Sequence, residues 1–251
     1  MWHQVLNVAG AGQLAPLPAA QAALEAVRGG TDDEAQAAVD RLARVEPPAL
    51  GDAPSHLAFW LNAYNALLLH GRRRLRPTGS VLTNLLLFER PVWWVGGHRV
   101  SLNDIEHGVL RGNRRAFPFF WRRPFSADDA RVRLMATPLD PRIHFALNCG
   151  AVSCPPIRSY RAEGLDAQLE LATRSFLGQA TRVDRSRREV TLSALLRLYA
   201  GDFGRRADAV RFTAHHLDGD DAGWLHEHAD VVRVRFGAYD WTLTRDARSG
   251  R

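Results

Sequence analysis

The strongest constraint on the fold is an apolar helix predicted for residues 54–71, PSHLAFWLNAYNALLLHG. Its large apolar side chains recur at helical spacing and share one face, which a core must cover: Leu57, Trp60, Leu61, Tyr64, Leu67 and Leu68. Gly71 is the predicted C-cap, because glycine adopts the left-handed conformation that ends many helices. With 251 residues and 46% hydrophobic content, the chain can bury a full-sized core around this helix.

Other helices are predicted from capping signals and apolar spacing. Thr31 and Glu34 have the spacing of a capping box, as do Ser101 and Asp104 at the start of SLNDIEHGVLRG. A short apolar helix is predicted for residues 81–88, and another for residues 165–177. Two more are expected around residues 195–199 and 207–216.

Strands are predicted from alternation and from turn residues. PVWWVGGHRVSL has two β-rich arms around Gly96-Gly97, which is a hairpin signal. In RIHFALN, the large apolar residues alternate with His144, Ala146 and Asn148, as they do when the two sets point to opposite faces of a strand. We therefore expect a strand that includes Ile143–Leu147. TRVDRSRREVTLS resembles a second hairpin, and VVRVRFGAYDWTLT predicts one or two closing strands. The expected fold is α+β, a mainly helical single domain with a small, mostly antiparallel sheet.

The expected organisation is one core domain with short additions at its ends. Residues 1–50 are predicted as an N-terminal helical extension, residues 51–245 as the core domain, and residues 246–251 as a tail. The irregular aromatic segment AFPFFWRRP, residues 116–124, is a candidate partner surface within the core domain.

Composition argues against several classes of function. The net charge is +6, but all 33 basic residues are arginine and their short runs are scattered, which argues against nucleic-acid binding. No apolar run is long enough to span a membrane. The first residues lack a signal-peptide pattern, so we expect a cytoplasmic protein unless a leader has been removed. No cofactor is predicted.

The two cysteines, Cys149 and Cys154, lie in the segment HFALNCGAVSCPP. His144 is either a buried core histidine or a proton carrier, and it shares the predicted strand face with Asn148. Continued extension would place His144 and Cys149 about 16 Å apart, so only Cys154, beyond the turn, could return to His144. Pro155 favours a helix start, which would make Cys154 an N-cap thiol with a lowered pKa.

Other chemistries of the two thiols stay open. An inert buried pair, or a reversible redox pair, is compatible with the spacing. A zinc site is weaker, since Cys-x4-Cys is not a common zinc-ligand spacing, and no metal is predicted. Asn62 and Asn65 are unusual within an apolar helix, and they either tether a loop or line a site. Glu106 could orient His144, although an exposed helix face is the default interpretation for Glu106 and His107.

Four ordered motifs resemble the domain-of-unknown-function family catalogued under the number 547: FWLNAYNALLLHG, SLNDIEHGVLR, IHFALNCGAVSCPPIR and YDWTL. The resemblance runs from about Leu57 to Leu243. This family occurs in bacteria and plants and is fused in some animals to glutaredoxin-like and DEP domains. Its biochemical activity is not settled, so the resemblance names no reaction.

The resemblance implies a set of recurring positions, which here are Asn62, Asn65, Glu106, His144, Ser153 and Pro155. Bacterial members resemble this chain in keeping both cysteines, whereas many plant members carry Ser or Asp where Cys154 stands. We therefore expect one pocket, with Cys154, His144, Glu106 and Cys149 as candidate catalytic residues. Asn62, Asn65, Asn148 and Ser153 are the candidate binding residues.

Three functions follow from these residues. The first is a thiol-dependent enzyme, a hydrolase or acyl transferase, in which Cys154 attacks a carbonyl and His144 acts as base. The expected substrate is a small molecule or a protein. The second is a non-catalytic interaction module. The third is a redox-responsive pair of Cys149 and Cys154, which the glutaredoxin-like fusions favour.

Overall fold

The computed structural model describes residues 3–10, 12, 14–46, 52–115, 122–136 and 138–244. These residues form two compact units. The first unit comprises residues up to 140 together with 147–165 and the residues from 241 onward, and the second comprises residues 141–146 and 166–240. The predicted domain boundaries near residues 50 and 245 lie outside the described residues, and so does most of AFPFFWRRP.

The first unit is built around one long helix. Its elements are β1 (Gln4–Val5), α1 (Pro16–Gly29), α2 (Asp32–Arg41), α3 (Ala53–Leu75), β2 (Pro91–Val95) and β3 (His98–Val100). Short 3-10 helices cover Leu42–Arg44, Val81–Phe88 and Ala130–Leu134, and a π-helix covers Asp104–Leu110. In the sheet, β1 pairs parallel with β2, and β2 pairs antiparallel with β3.

The predicted core helix is confirmed as α3, but it is longer and more deeply buried than expected. Every residue from Ala58 to Leu68 is buried, because α1, α2 and the π-helix all pack against α3. Gly71 does not end the helix. A side chain there would lie 3.2 Å from the Trp93 ring, so glycine permits the close approach of β2. The helix ends at Leu75, and Arg76 adopts the left-handed conformation at φ 46°.

The local turn and capping predictions for this unit are confirmed. Gly96 and Gly97 both have positive φ, at 56° and 76°, as the tight turn between β2 and β3 requires. The Thr31 capping box is formed by its hydroxyl and the Glu34 carboxylate. The Ser101 hydroxyl accepts from the Asp104 N–H at 3.1 Å, and the Asp104 carboxylate accepts from the Ser101 N–H at 2.9 Å.

Trp93 and His70 join the sheet to α3 in the first unit. The Trp93 indole N–H donates to His70 Nδ1 at 3.1 Å, and His70 Nε2 lies 3.1 Å from the Gln36 amide oxygen. Burial lowers the pKa of His70 to about 4, with a smaller contribution from Arg74. The ring is therefore neutral near pH 7, and its two nitrogens serve as one acceptor and one donor.

The second unit contains the second small sheet. Its elements are α4 (Leu165–Ala180, whose first residue is assigned to the first unit), β4 (Arg182–Asp184), β5 (Glu189–Leu192), α5 (Ala194–Leu198), α6 (Ala200–Phe203), α7 (Arg206–His215), α8 (Asp220–His228) and β6 (Arg233–Phe236). β4 pairs antiparallel with β5, which pairs parallel with β6. Phe145, Phe203 and Phe212 pack together in its core.

The mainly helical α+β class is confirmed. Among the described residues, the strands form two three-stranded sheets rather than one, and both sheets are mixed rather than mostly antiparallel. The predicted strand over Ile143–Leu147 is wrong, because Pro141–Phe145 is a 3-10 helix. All five residues from Ile143 to Leu147 are buried, so the apolar-polar alternation does not mark an inner and an outer face.

None of the helices in the described part of the chain combines the length and the apolar character that crossing a membrane requires.

The π-helix depends on glycine at position 108. A methyl group on Gly108 would lie 2.4 Å from Cζ of Phe125, whose ring is buried and cannot move aside cheaply. We expect Gly108→Ala to lower the free energy of unfolding by about 1–3 kcal/mol, measured by urea denaturation. Gly178→Ala, in α4 with nothing within 4 Å of the new methyl, is the control and should be neutral or stabilising. Equal effects of both variants would contradict the packing argument.

Candidate functional site

The cysteine loop is closed by the side chain of Asn148. Its amide nitrogen donates to the Pro155 carbonyl at 2.7 Å, and its oxygen accepts from the Gly150 N–H at 2.6 Å. Within the loop, the Cys154 N–H donates to the Ala151 carbonyl at 3.1 Å. One asparagine therefore joins the two ends of the segment that carries both thiols.

Asn62 and Asn65 fasten this segment to α3 within the first unit. The Asn65 side-chain oxygen accepts from the Asn148 N–H at 3.2 Å. The Asn62 side chain donates to the Tyr160 carbonyl at 2.8 Å and accepts from the Tyr160 N–H at 2.9 Å. Both asparagines are fully buried. The structure thus gives them the loop-tethering role that the sequence left open, and substrate binding by them stays a prediction.

Residues 242–244 brace the loop from another side. The Val152 N–H donates to the Thr242 carbonyl at 2.9 Å, and the Thr244 N–H donates to the Gly150 carbonyl at 2.8 Å. The Arg72 guanidinium, at the end of α3, donates to the Thr244 hydroxyl at 2.9 Å. Because Gly150 has φ 88°, it permits a turn that a side chain would strain.

The two cysteines meet through a backbone contact. The Cys149 N–H donates to the Cys154 sulfur at 2.9 Å, and both cysteines are half-buried. A hydrogen bond donated to sulfur stabilises the thiolate more than the thiol, so this amide favours ionisation of Cys154. The predicted helix start at Pro155 is wrong, since residues 155–161 form no helix. The Cys149 N–H, rather than a helix dipole, is therefore the group that favours the thiolate of Cys154.

His144 belongs to the second unit, where it forms a buried pair with Asp202. Its Nε2 lies 2.8 Å from Asp202 Oδ2, and the two side chains are 1% and 0% exposed. The ring stacks on Tyr199 with centroids 3.8 Å apart. Asp202 follows Gly201 on α6, and only its position between two aromatic residues in YAGDF could have drawn attention to it.

Glu106 and His107 are buried, so the default interpretation of an exposed helix face is wrong. The Tyr64 hydroxyl donates to Glu106 Oε2 at 3.0 Å, and Glu106 Oε1 lies 3.8 Å from His107 Nδ1. Arg111 Nη1 donates to His107 Nδ1 at 2.8 Å. Since arginine is always a donor, Nδ1 is the acceptor and the ring carries its proton on Nε2. The π-helix and the residue that follows it, Arg111, thus bring a buried acid, a buried histidine and a buried cation together.

The structure brings some of the predicted site residues together. In the first unit, Asn65, Asn148, Cys149 and Cys154 are connected by hydrogen bonds, and Asn62 holds the same segment at Tyr160. Ser153 lies in the loop turn and is half-buried. Glu106 bonds to Tyr64 on α3. The pairing of His144 with Cys154 stays a prediction, because the two residues belong to different units.

Among the described residues, no group of three or more His, Cys, Asp or Glu side chains is arranged to hold a metal ion.

Comparison with protein families gives one match. The family model described as "Protein of unknown function, DUF547" matches residues 50–177, just over half of the chain. The match includes α3, the π-helix and the cysteine loop. No match is found among curated proteins or among solved structures. The chain therefore belongs to the DUF547 family of proteins of unknown function.

Proposed function

We propose that the chain is a thiol-dependent enzyme, a hydrolase or acyl transferase, with Cys154 as its nucleophile. The observation that carries the proposal is the Cys149 N–H aimed at the Cys154 sulfur at 2.9 Å. The loop around the sulfur is held by Asn148, by Asn65 and by Thr244, so the donor keeps its position. A fixed donor costs no reorganisation when the thiolate forms.

The proposed chemistry has two steps. The base takes the proton of the Cys154 thiol, and the thiolate attacks the carbonyl carbon of an ester, thioester or amide. A thioester forms on the sulfur, the bond to the leaving group breaks, and the leaving group departs with the proton held by the base. Water or an acceptor nucleophile then attacks the thioester, which releases the acyl product and regenerates the thiolate. The general base proposed from the sequence is His144, and Asp202 replaces Glu106 as the acid that orients it.

A reducing location fits this proposal, since the mechanism needs the thiol of Cys154 in its reduced form. We propose a cytoplasmic location, a small-molecule or protein substrate rather than nucleic acid, and a bacterial source, from the composition and the two retained cysteines. The interaction module stays an alternative without a specific contact in its favour.

Alkylation by iodoacetamide across a range of pH tests the thiol proposal. We expect the label on Cys154, with a pKa below the usual value of about 8.5. Cys154→Ala should abolish this reaction. It should also lower hydrolysis of p-nitrophenyl acetate by at least about 100-fold. Mass spectrometry of the wild-type protein with this ester should find an acetyl group on Cys154.

Cys149→Ala is the matched control, because it removes the neighbouring thiol but keeps the backbone N–H that faces Cys154. In this variant, iodoacetamide should label Cys154 with the same pH dependence as in the wild type, and the esterase activity should be kept. Labelling of Cys149 instead, or an ordinary pKa at Cys154, would contradict the proposal.

The same contact favours a second candidate function, the redox pair, because it brings Cys149 and Cys154 together. Hydrogen peroxide would oxidise the two thiols to one disulfide, with two molecules of water formed from the peroxide. Intact mass measurement after peroxide treatment separates the candidates. A disulfide that dithiothreitol reverses supports the redox pair, whereas oxidation of Cys154 alone supports a solitary nucleophile.

A further inference from the structure

The first unit contains an open cleft of about 980 Å³ that the cysteine chemistry does not use. The hairpin of β2 and β3 forms one wall, with Trp94 and Arg99. The π-helix contributes His107, and Arg122–Pro124 and Asp129–Arg131 also line the cleft. This volume lies within the range of small-molecule sites, and polar side chains converge on it.

The carboxylates in the cleft are already engaged. Asp104 lies 3.0 Å from Arg131 and also accepts from the Ser101 N–H. Asp129 lies 2.7 Å from the same guanidinium. The third acid, Glu89, accepts from the Asn103 side chain at 2.9 Å. These contacts hold Arg131 and the three acids in place.

Three further arginines line the cleft and are exposed: Arg99, Arg122 and Arg123. Within the described ranges, no carboxylate lies within ion-pair distance of any of the three. Arg123 donates to a neutral acceptor, the Asn113 carbonyl, at 3.2 Å. Three positively charged residues that line one cleft repel one another, and an anion bound in the cleft relieves that repulsion.

We propose that this cleft binds a small multivalent oxyanion, a phosphorylated or polycarboxylated molecule, through Arg99 and Arg122. The planar guanidinium matches the spacing of phosphate and carboxylate oxygens and pairs with them through two parallel hydrogen bonds. The half-buried Trp94 ring beside Arg99 provides a flat surface for the rest of the ligand. The site is separate from the cysteine loop and is independent of the proposed thiol chemistry.

Isothermal titration of the full chain with pyrophosphate and, separately, with citrate tests this proposal. We expect saturable binding of one equivalent of at least one of these anions, weakened when the salt concentration rises. Stronger binding of pyrophosphate assigns the site to phosphate, and stronger binding of citrate assigns it to carboxylates.

Arg99→Gln and Arg122→Gln should each weaken binding about 10-fold or more, because each removes one charge-assisted contact. Arg205→Gln is the matched control. It removes the same charge from a side chain that is 91% exposed in the second unit, and it should leave binding unchanged. The proposal is overturned if neither anion binds saturably, or if Arg205→Gln weakens binding as much as the two cleft variants do.

Discussion

Replacing His144 with alanine should lower the free energy of unfolding by about 3–5 kcal/mol. The variant removes the imidazole that lies 2.8 Å from Asp202 Oδ2, while the carboxylate stays fully buried. It also removes the ring that stacks on Tyr199. A buried carboxylate that loses its partner bears a desolvation cost that the pair had offset. Urea denaturation monitored by circular dichroism measures the change.

Two further variants make this prediction specific. His215→Ala removes an exposed histidine from α7 and should change stability by less than about 0.5 kcal/mol. The double variant His144→Ala with Asp202→Ala should cost less than the sum of the two single variants, since it removes both members of the pair. Additive costs would show that the two side chains do not interact.

The His144→Ala variant also tests the sequence-based pairing with Cys154. If a protonated His144 stabilises the thiolate, the pKa of Cys154 in the alkylation assay should rise in the variant. An unchanged pKa in a folded variant would contradict the pairing and leave the Cys149 N–H as the source of thiol activation.

Asn62→Ala should lower the free energy of unfolding by about 2–4 kcal/mol, through a lost hydrogen bond and a small cavity. The Tyr160 N–H donates to Asn62 Oδ1 at 2.9 Å, and Tyr160 is 1% exposed. Water therefore cannot easily replace the lost acceptor. Thermal unfolding and urea denaturation give the magnitude, and backbone amide exchange should show faster opening of the segment around Tyr160.

Gln21→Ala is the matched control for Asn62. Gln21 donates to the Tyr160 carbonyl at 2.9 Å, but Asn62 donates to the same carbonyl at 2.8 Å. Since that carbonyl keeps a donor when the Gln21 side chain is removed, Gln21→Ala should lower the free energy of unfolding by less than about 1 kcal/mol. If both variants lower the free energy of unfolding equally, the unpaired Tyr160 N–H does not cause the loss of stability in Asn62→Ala.

Local sequence signals predicted much of the fold. Capping pairs and paired glycines depend on residues a few positions apart, so Thr31 with Glu34 and the Gly96-Gly97 turn could be identified directly. The helix α3 followed from its apolar spacing. The segment Ile143–Leu147 was misassigned because alternation indicates a strand only if one face is exposed, and here all five residues are buried.

The site was only partly predictable, because its partners are distant in sequence. Asn62 and Asn65 were recognised as polar residues that need partners, and those partners proved to be Tyr160 and Asn148. The partnership of His144 with Asp202 spans 58 residues and has no local signal. The arginine cleft was missed for the same reason, since Arg99 and Arg122 lie on separate segments of the first unit.

The bracing of the cysteine loop by residues 242–244 has a consequence for synthesis of the protein. The ribosome makes Cys149 and Cys154 long before it makes Thr242 and Thr244, whose backbone groups hold the loop at Val152 and Gly150. During translation of the intervening second unit, the first unit lacks the segment that begins at Trp241. The donor and the sulfur therefore reach their braced arrangement only after translation has passed Thr244, so the nascent chain carries its thiols without the complete support of the folded loop.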